Sequence, residues 1–164
     1  MRFTFFLLML LCTGIANATD YYVSASGSDS NNGTSQTTPW KTITKAESVC
    51  NSGLIGPGDR ILFKCGDQFT GKAVIASVWG KNAKSGTASN PITLGSYGTG
   101  AKPTFLYPTG GSTAAESRVL FWFAGLDYWV VDGLNFADLD QTNNKVTPAN
   151  LGIPLYLGTS GEAY

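Results

Sequence analysis

Histidine is absent from this sequence of 164 residues, which excludes every catalytic arrangement and every zinc site that depends on an imidazole. An excess of charge of one sign is also missing, because eleven Lys and Arg balance eleven Asp and Glu. A chain without excess positive charge cannot displace the counterions of DNA or RNA, so we predict no nucleic-acid partner. Any chemistry must therefore use carboxylates, Lys, Arg, Tyr or a hard metal ion.

The N-terminus carries the pattern of a secretory signal peptide. Arg2 precedes an apolar run over residues 3–15, and Ala16-Asn17-Ala18 provides the small-x-small pattern that signal peptidase recognises. The run is too short for a typical membrane span, so the pattern disfavours an uncleaved anchor. We predict cleavage after Ala18 and no membrane association afterwards. The mature chain is then secreted to the extracellular medium, with the periplasm or the cell surface as alternative locations.

Cysteine is scarce, and removal of the leader leaves only Cys50 and Cys65. In an oxidising compartment these two are a disulfide candidate that would close a short loop and contribute roughly 3 kcal/mol in the chain-entropy model. Two separate buried thiols that act as small hydrophobic side chains are an equally good interpretation. The spacing alone does not choose between them.

One helix and many short strands are predicted in the mature chain. Thr38-Pro39 is typical of a helix N-cap followed by proline, and apolar residues recur at three- and four-residue spacing from Trp40 to Cys50. Glycine at position 53 and the cluster at 56–58 end this helix. Short apolar runs bounded by Gly, Pro, Asn or Asp then predict strands at 59–64, 73–76, 92–94, 104–107, 119–124, 129–131 and 134–136.

These strands have no helices between them, which excludes a doubly wound βαβ fold and leaves a sandwich, an antiparallel barrel or a β-solenoid. Hairpin signals of the Asn-Gly type are scarce, and the run 119–124 is apolar throughout, as expected of a strand that is covered on both sides. The single helix lies at the front, where a solenoid needs an end cap. The pattern therefore favours an all-β solenoid.

A corner at Asp132-Gly133 fixes the orientation of the residues before it. Because successive side chains of a strand point to opposite faces, Trp129 and Val131 are predicted to point inward. Tyr128 and Val130 are then predicted to point outward.

Six segments together resemble secreted proteins of the pectate-lyase-like superfamily, which includes alginate lyases and chondroitinase B-like enzymes. The resemblance implies a right-handed parallel β-helix with an N-terminal capping helix. It divides the chain into a signal peptide (1–18), a strand, loop and capping helix (19–58), and the first coils (59–164). Because no second cap follows the apolar run at 151–158, we expect the solenoid to be incomplete at its C-terminus. The matching segments are 21–24, 27–34, 39–46, 58–64, 85–93 and 128–134.

The resemblance implies a lyase activity for the full-length protein. Lyases of this superfamily cleave uronic-acid polymers by β-elimination, in which Lys or Arg removes a proton and Ca²⁺ or another cation neutralises the developing charge. No position of this sequence matches a catalytic motif, so we assign no catalytic residue and expect this segment alone to be inactive. The expected partner is an acidic polysaccharide, and the expected state is a monomer. The alternative is a non-catalytic surface, adhesion or carbohydrate-binding solenoid.

Trp79 is a candidate substrate-binding residue, because its ring can stack on a sugar and three nearby lysines can contact an acidic one. The lysines are Lys72, Lys81 and Lys84. The alternative is a solvated loop that contains one packed aromatic side chain.

Trp122 and Tyr128 are further substrate-binding candidates if their rings face outward on strands; the alternative is that a neighbouring loop covers each ring. Asp138 and Asp140, followed by the asparagines at 143 and 144, offer closely spaced oxygen ligands for Ca²⁺. The alternative for these four is an ordinary exposed loop rich in Asp and Asn.

Overall fold

The computed structural model describes residues 18–106, 120–137 and 155–158, which form one helix and ten strands. In chain order, these elements are β1 (Asp20–Val23), α1 (Ile43–Asn51), β2 (Arg60–Lys64), β3 (Gln68–Thr70), β4 (Ala73–Ala76), β5 (Ile92–Tyr97), β6 (Thr104–Leu106), β7 (Phe121–Ala124), β8 (Trp129–Val131), β9 (Asn135–Ala137) and β10 (Leu155–Gly158).

The strands form three parallel sheets. Their orders are β1-β2-β5-β8, β3-β6-β9 and β10-β7-β4, and every paired strand runs parallel to its neighbour. The chain visits the three sheets in turn, so β2-β3-β4, β5-β6-β7 and β8-β9-β10 are three successive coils. This path confirms the predicted parallel β-helix, with α1 at its N-terminal end.

Consecutive coils place like side chains above one another. Ile61 pairs with Leu94, and Phe69 pairs with Phe105, which in turn pairs with Phe136. The sequence interval between paired residues varies, because the corners between strands differ in length. This variation is the reason that no fixed repeat is visible in the sequence.

Phe105 lies at the centre of the core and is fully buried. Its ring centroid lies 4.8 Å from that of Phe63, 5.5 Å from that of Phe69, 5.2 Å from that of Phe121 and 5.5 Å from that of Phe136. These four partners come from β2, β3, β7 and β9, so the aromatic cluster joins all three coils. Each edge-to-face or offset pair of this kind stabilises the fold by about 0.5–1.5 kcal/mol beyond the gain from burying the rings.

The predicted orientation before the corner at 132–133 is confirmed. Trp129 and Val131 pack against the core, whereas Tyr128 and Val130 are exposed. The alternation of a pleated strand is a local property, and it holds here even though β8 has only three residues.

The predicted start of the helix is wrong by four residues. Thr42, not Thr38, is the N-cap, and its side chain accepts a hydrogen bond from the Lys45 amide. Trp40 is instead extended and bridges to Val23 of β1. The predicted end is correct, because α1 stops at Asn51 and Gly53 follows with a φ of +78°. The predicted apolar face of α1 is buried, through residues 43, 46, 49 and 50.

Asn51 joins α1 to the free edge of β4. Its side-chain amide donates to the Val74 carbonyl at 2.8 Å, and its side-chain oxygen accepts from the Ala76 amide at 3.1 Å. The carboxamide thus takes the place that the peptide group of another strand would occupy. In this way the helix caps the first coil.

Residues 24–42 cover the free edge of β1 in a similar way. The Tyr22 amide donates to the Gly33 carbonyl, the Trp40 amide donates to the Tyr22 carbonyl, and the Ser24 amide donates to the Trp40 carbonyl. The Trp40 ring stacks on Tyr21 with 5.1 Å between centroids. We call this segment the N-terminal clasp.

Cys50 and Cys65 are both free thiols, so the disulfide candidate is not realised in the structure. Cys50 is buried on α1, whereas Cys65 is partly exposed after β2, so only the first behaves as a small hydrophobic side chain. Burial raises the pKa of the Cys50 thiol and keeps it protonated and unreactive. None of the described helices is long and apolar enough to cross a membrane.

Candidate functional site

Trp79 lies in the turn after β4 and is 58% exposed. The Lys81 amide donates to the Val78 carbonyl at 3.1 Å, and φ is +56° at Trp79 and +75° at Gly80, the pattern of a type I′ turn. A bulky side chain in this left-handed region costs about 1–2 kcal/mol. An exposed aromatic side chain that is held against its backbone preference is typical of a functional position.

Trp122 lies in the middle of β7 and supports Trp79. Its neighbours in register are Val74 on one side and Tyr156 on the other. The two indole rings meet edge to face, with 5.5 Å between centroids and 78° between planes. The structure therefore brings together two of the three predicted aromatic residues, which we call the tryptophan pair. Trp122 is half-buried, and Trp79 packs against its ring.

Tyr128 lies apart from the tryptophan pair, and the described residues show no ring contact between them. It is 57% exposed at the corner between β7 and β8, and its φ is +55°. Its carbonyl accepts from the Ile92 amide at 3.0 Å. A Cβ atom at Gly86 would lie 2.5 Å from this carbonyl oxygen, so only glycine lets the backbone at position 86 approach Tyr128 this closely.

Trp79 and Tyr128 lie in the same corner of consecutive coils but at opposite ends of it, because Trp79 closely follows β4 whereas Tyr128 directly precedes β8. Each corner follows a strand of the β10-β7-β4 sheet and leads to a strand of the β1-β2-β5-β8 sheet. Trp79 and Tyr128 are also the two non-glycine residues with positive φ among those described. The sequence shows both aromatic residues but gives no sign that both have a positive φ.

Between α1 and the turn after β4 lies a shallow cavity of about 430 Å³, which Trp79 itself does not line. Across it, the Lys81 ammonium lies 3.4 Å from the Glu47 carboxylate. Hydroxyl, amide and charged groups of this kind are the donors and acceptors that sugar hydroxyls need. We call it the α1 groove; it is lined by Thr44, Glu47, Ser48, Asn51, Ser52, Gly80 and Lys81.

The helical half of the α1 groove is not predicted from the sequence. The outer face of α1 carries Thr, Ser and Glu at positions that are typical of an ordinary solvated helix surface. Only the fold shows that this face lies beside the Trp79 turn. No sequence pattern of α1 itself marks it as a site.

The three predicted lysines do not form one cluster. Lys72 precedes β4 and Trp79 follows it, so the strand separates them. Lys81 pairs with Glu47, and the Lys84 carbonyl accepts from the Trp129 indole N–H at 3.0 Å. Of the three, only Lys81 lines the α1 groove.

The Ca²⁺ candidates Asp138 and Asp140, with the asparagines at 143 and 144, lie outside the described residues. Among the described residues, no group of three or more Cys, Asp or Glu side chains could hold a metal ion. The described residues therefore do not fit the Ca²⁺ that the resemblance implies, and we derive no catalytic step through it.

Comparison with known proteins supports the architecture. No family model matches the chain. A lacto-N-biosidase of Bifidobacterium longum subsp. longum is 37% identical over 87 residues, which is 52% of this chain and 5% of that protein. This chain thus spans a small part of the relative that it matches.

Solved structures give the same result for the fold. The GH136 lacto-N-biosidase from Eubacterium ramulus has a TM-score of 0.55 at 23% identity, covering 73% of this chain and 20% of its own. A rhamnogalacturonan lyase has a TM-score of 0.52 at 19% identity, covering 73% and 28%. Pectate lyase Pel9A has a TM-score of 0.50 at 25% identity, covering 74% and 28%. Together with the three parallel sheets, these similarities show that the chain has the parallel β-helix fold of the pectate-lyase-like superfamily.

Proposed function

We propose that this chain is the N-terminal part of a secreted β-helix protein that acts on carbohydrate. The observation that carries the proposal is Trp79, an exposed ring held in a strained turn whose next two residues line the α1 groove. The names of the similar proteins support the substrate class, since the biosidase and both lyases act on carbohydrate.

Trp79 and the α1 groove supply complementary contacts to a sugar. An indole ring covers the apolar C–H face of a pyranose, and the Thr44 and Ser48 hydroxyls and the Glu47 carboxylate can exchange hydrogen bonds with its hydroxyl groups. The edge-to-face contact with Trp122 holds the Trp79 ring, which remains 58% exposed. Tyr128, at the equivalent corner of the next coil, offers a second stacking ring further along the solenoid.

Two reactions fit a protein of this fold. The superfamily resemblance favours β-elimination on uronic-acid polymers, and the 37% identity to a lacto-N-biosidase favours glycoside hydrolysis. We place no catalytic residue among the described residues for either reaction. A non-catalytic surface, adhesion or carbohydrate-binding solenoid is the alternative, and it would use the same aromatic contacts.

Binding is tested with the full-length secreted protein on alginate, pectate, chondroitin and oligosaccharides that contain lacto-N-biose. We expect Trp79→Ala to weaken the affinity for the bound glycan about tenfold, the effect of losing one aromatic contact of about 1.4 kcal/mol. Val130→Ala removes an exposed apolar side chain from β8 and is the matched control, with unchanged affinity. Equal affinities of all three proteins would contradict the assignment of Trp79.

The reaction is identified from its products. Elimination gives an unsaturated uronate that absorbs ultraviolet light, whereas hydrolysis gives new reducing ends without that absorbance. Binding without either product would establish the non-catalytic solenoid. Failure to bind or cleave any of these glycans would overturn the proposed function.

A further inference from the structure

Asp59 is a buried carboxylate without a cationic side-chain partner among the described residues. One of its oxygens, Oδ1, accepts from the Thr19 backbone nitrogen at 2.8 Å, and Oδ2 accepts from the Gly56 amide at 2.7 Å. Both donors are neutral amides in the uncleaved chain. Burying a carboxylate costs free energy unless a positive group pairs with it. Asp59 accepts two hydrogen bonds but has no positively charged partner among the described residues.

Thr19 is held firmly in this position. Its nitrogen donates to Asp59, and its carbonyl accepts from the Arg60 amide at 2.9 Å, which extends the pairing of β1 with β2 by one residue. Ala18, directly before it, is exposed. The predicted cleavage therefore falls between an exposed residue and one whose nitrogen already contacts a buried acid.

We propose that Asp59 is a binding site for the α-ammonium group that leader cleavage creates at Thr19. Hydrolysis of the Ala18–Thr19 peptide bond consumes one water molecule and leaves a carboxylate on Ala18 and, at neutral pH, an ammonium on Thr19. The neutral hydrogen bond to Asp59 thereby becomes an ion pair without any movement of the backbone. Leader cleavage thus supplies a positively charged partner for Asp59.

The other charged and titratable groups around Thr19 do not replace this pair. Arg60 lies next in the chain to Asp59, but its guanidinium is bound to Asp20 at 2.6 Å. Tyr21 is buried, and this burial, followed by the nearby charge of Asp59, raises the pKa of its phenol, which stays neutral. Asp59 is thus the negative group that contacts the Thr19 nitrogen.

The ion pair gives a defined pH dependence. An unperturbed α-amino group has a pKa of about 7.7–8.0, and pairing with a buried carboxylate raises this pKa in the folded state. The added stability is therefore fully present below that unfolded value and is lost as the pH rises through the folded value. A rise of one pKa unit is a tenfold change in the folding equilibrium, or about 1.4 kcal/mol.

The experiment uses the full-length protein exported through its own leader, with the N-terminus identified by mass spectrometry. The comparison variant has one Asn inserted between Ala18 and Thr19, which keeps the nitrogen of Thr19 as an amide and moves the ammonium away. We expect the natural form to unfold with an equilibrium constant about tenfold smaller near pH 6–7. This advantage should shrink above about pH 9, because the ammonium then loses its proton.

Two further variants separate charge from packing. Asp59→Asn should remove the pH-dependent difference between the natural and inserted N-termini. Asp20→Asn, which removes the pair with Arg60 and the contact with the Tyr22 hydroxyl, should preserve it. If Asp59→Asn does not fold, the α-amino pKa of the natural form is measured by NMR, with an expected rise of at least about one unit. An N-terminus other than Thr19, an equal effect of the insertion at every pH, or an unshifted α-amino pKa would overturn the proposal.

Discussion

Gly33 shows how one residue without a side chain fixes the N-terminal clasp. A Cβ atom there would lie 2.3 Å from Cε2 of Trp40, and φ is +74°. The close approach lets the Trp40 indole N–H donate to the Asn31 carbonyl at 3.1 Å while its ring stacks on Tyr21. Within a segment whose composition predicts only a loop, Gly33 and Trp40 are therefore buried.

We predict that Gly33→Ala destabilises the protein far more than Gly66→Ala. Both glycines have positive φ, so both substitutions carry a backbone cost of about 1–2 kcal/mol. Only Gly33 faces a packed ring, which adds an overpacking cost of about 1–3 kcal/mol. Urea unfolding of both variants measures the difference, and equal midpoints would contradict this role of Gly33.

Asp29 gives a second prediction, on the acid side. Its carboxylate accepts from the Lys41 amide at 2.8 Å, the Thr42 amide at 3.0 Å and the Thr42 hydroxyl at 2.7 Å. Although burial acts in the opposite direction, hydrogen bonds from Thr42 and Lys41 hold the pKa of Asp29 below its ordinary value of 3.8. Its stabilisation is thus present above the unfolded pKa and is lost as the pH falls through the folded one.

We expect Asp29→Asn to lower stability at neutral pH and to flatten the decline between about pH 5 and pH 2. Thr42→Ser retains the hydroxyl and serves as the control, with an acid profile like that of the natural protein. Urea midpoints across this pH range provide the measurement. Parallel curves for the natural protein and Asp29→Asn would show that Asp29 does not contribute to acid unfolding.

At the scale of single residues, the sequence predicts what depends on local geometry. Strand alternation gives the outward orientation of Val130, because the pleat of a strand needs no knowledge of distant contacts. Tyr128 is exposed as predicted, but it lies in the corner before β8 with a φ of +55°. The positive φ of Trp79 is not predictable in this way, since a turn with Asn or Gly in its place is the expected form. The sequence predicts the cap at Thr38, whereas the Thr42 hydroxyl caps α1 and also donates to Asp29, thirteen residues earlier.

At the scale of elements, α1 is attached to the first coil by the side chain of Asn51 as well as by its apolar face. Asn51 hydrogen-bonds to both Val74 and Ala76 on the edge of β4, while the Asn82 amide donates to the Asn51 carbonyl at 2.9 Å. The helix is therefore fixed to the strand and to the segment after the Trp79 turn together. The α1 groove keeps its shape because these bonds hold both of its walls.

We predict that Asn51→Leu lowers the free energy of unfolding by about 2–4 kcal/mol, because the substitution leaves two strand groups without partners. Ser48→Ala changes an exposed position one turn earlier on α1 and should stay within about 0.5 kcal/mol of the natural protein. Hydrogen exchange adds a local readout, with protection lost first at Ala76. Unchanged protection of Ala76 in Asn51→Leu would rule out this capping role.

The periodicity of apolar residues correctly predicts which face of α1 is buried, since a 3.6-residue period reports burial directly. It does not predict what the helix covers. The contact between α1 and β4 joins residues more than twenty positions apart, and no pattern within either element encodes it. For the same reason, the sequence does not predict the α1 groove.

At the scale of the whole molecule, the core is a column of aromatic rings that passes through every coil. The sequence predicts the solenoid from its lack of hairpins and from its resemblance to known β-helix proteins. It does not predict the register, because the interval between paired residues varies. Ile61 pairs with Leu94, 33 residues later, whereas Ile92 pairs with Trp129, 37 residues later. Only the three-dimensional path of the corners determines these intervals.

We predict that Phe105→Ala destabilises all three coils together, at a cost of about 3–5 kcal/mol. Val130→Ala, on the exposed face of β8, should change stability by less than about 0.5 kcal/mol. Hydrogen exchange should show protection lost in both β2 and β8. A loss confined to the coil of β6 would mean that the coils are energetically independent.

The N-terminal clasp and α1 also affect whether copies of this protein aggregate in solution. An uncovered parallel strand is a template on which another chain can add, and such addition leads to fibrous aggregates. Residues 33 and 40 take up the hydrogen bonds of β1, and Asn51 takes up those of β4, so two of the three sheets are closed to strand addition at this end. Removing residues 24–51 would expose the edges of β1 and β4, so that other chains could add strands there and the protein would polymerise.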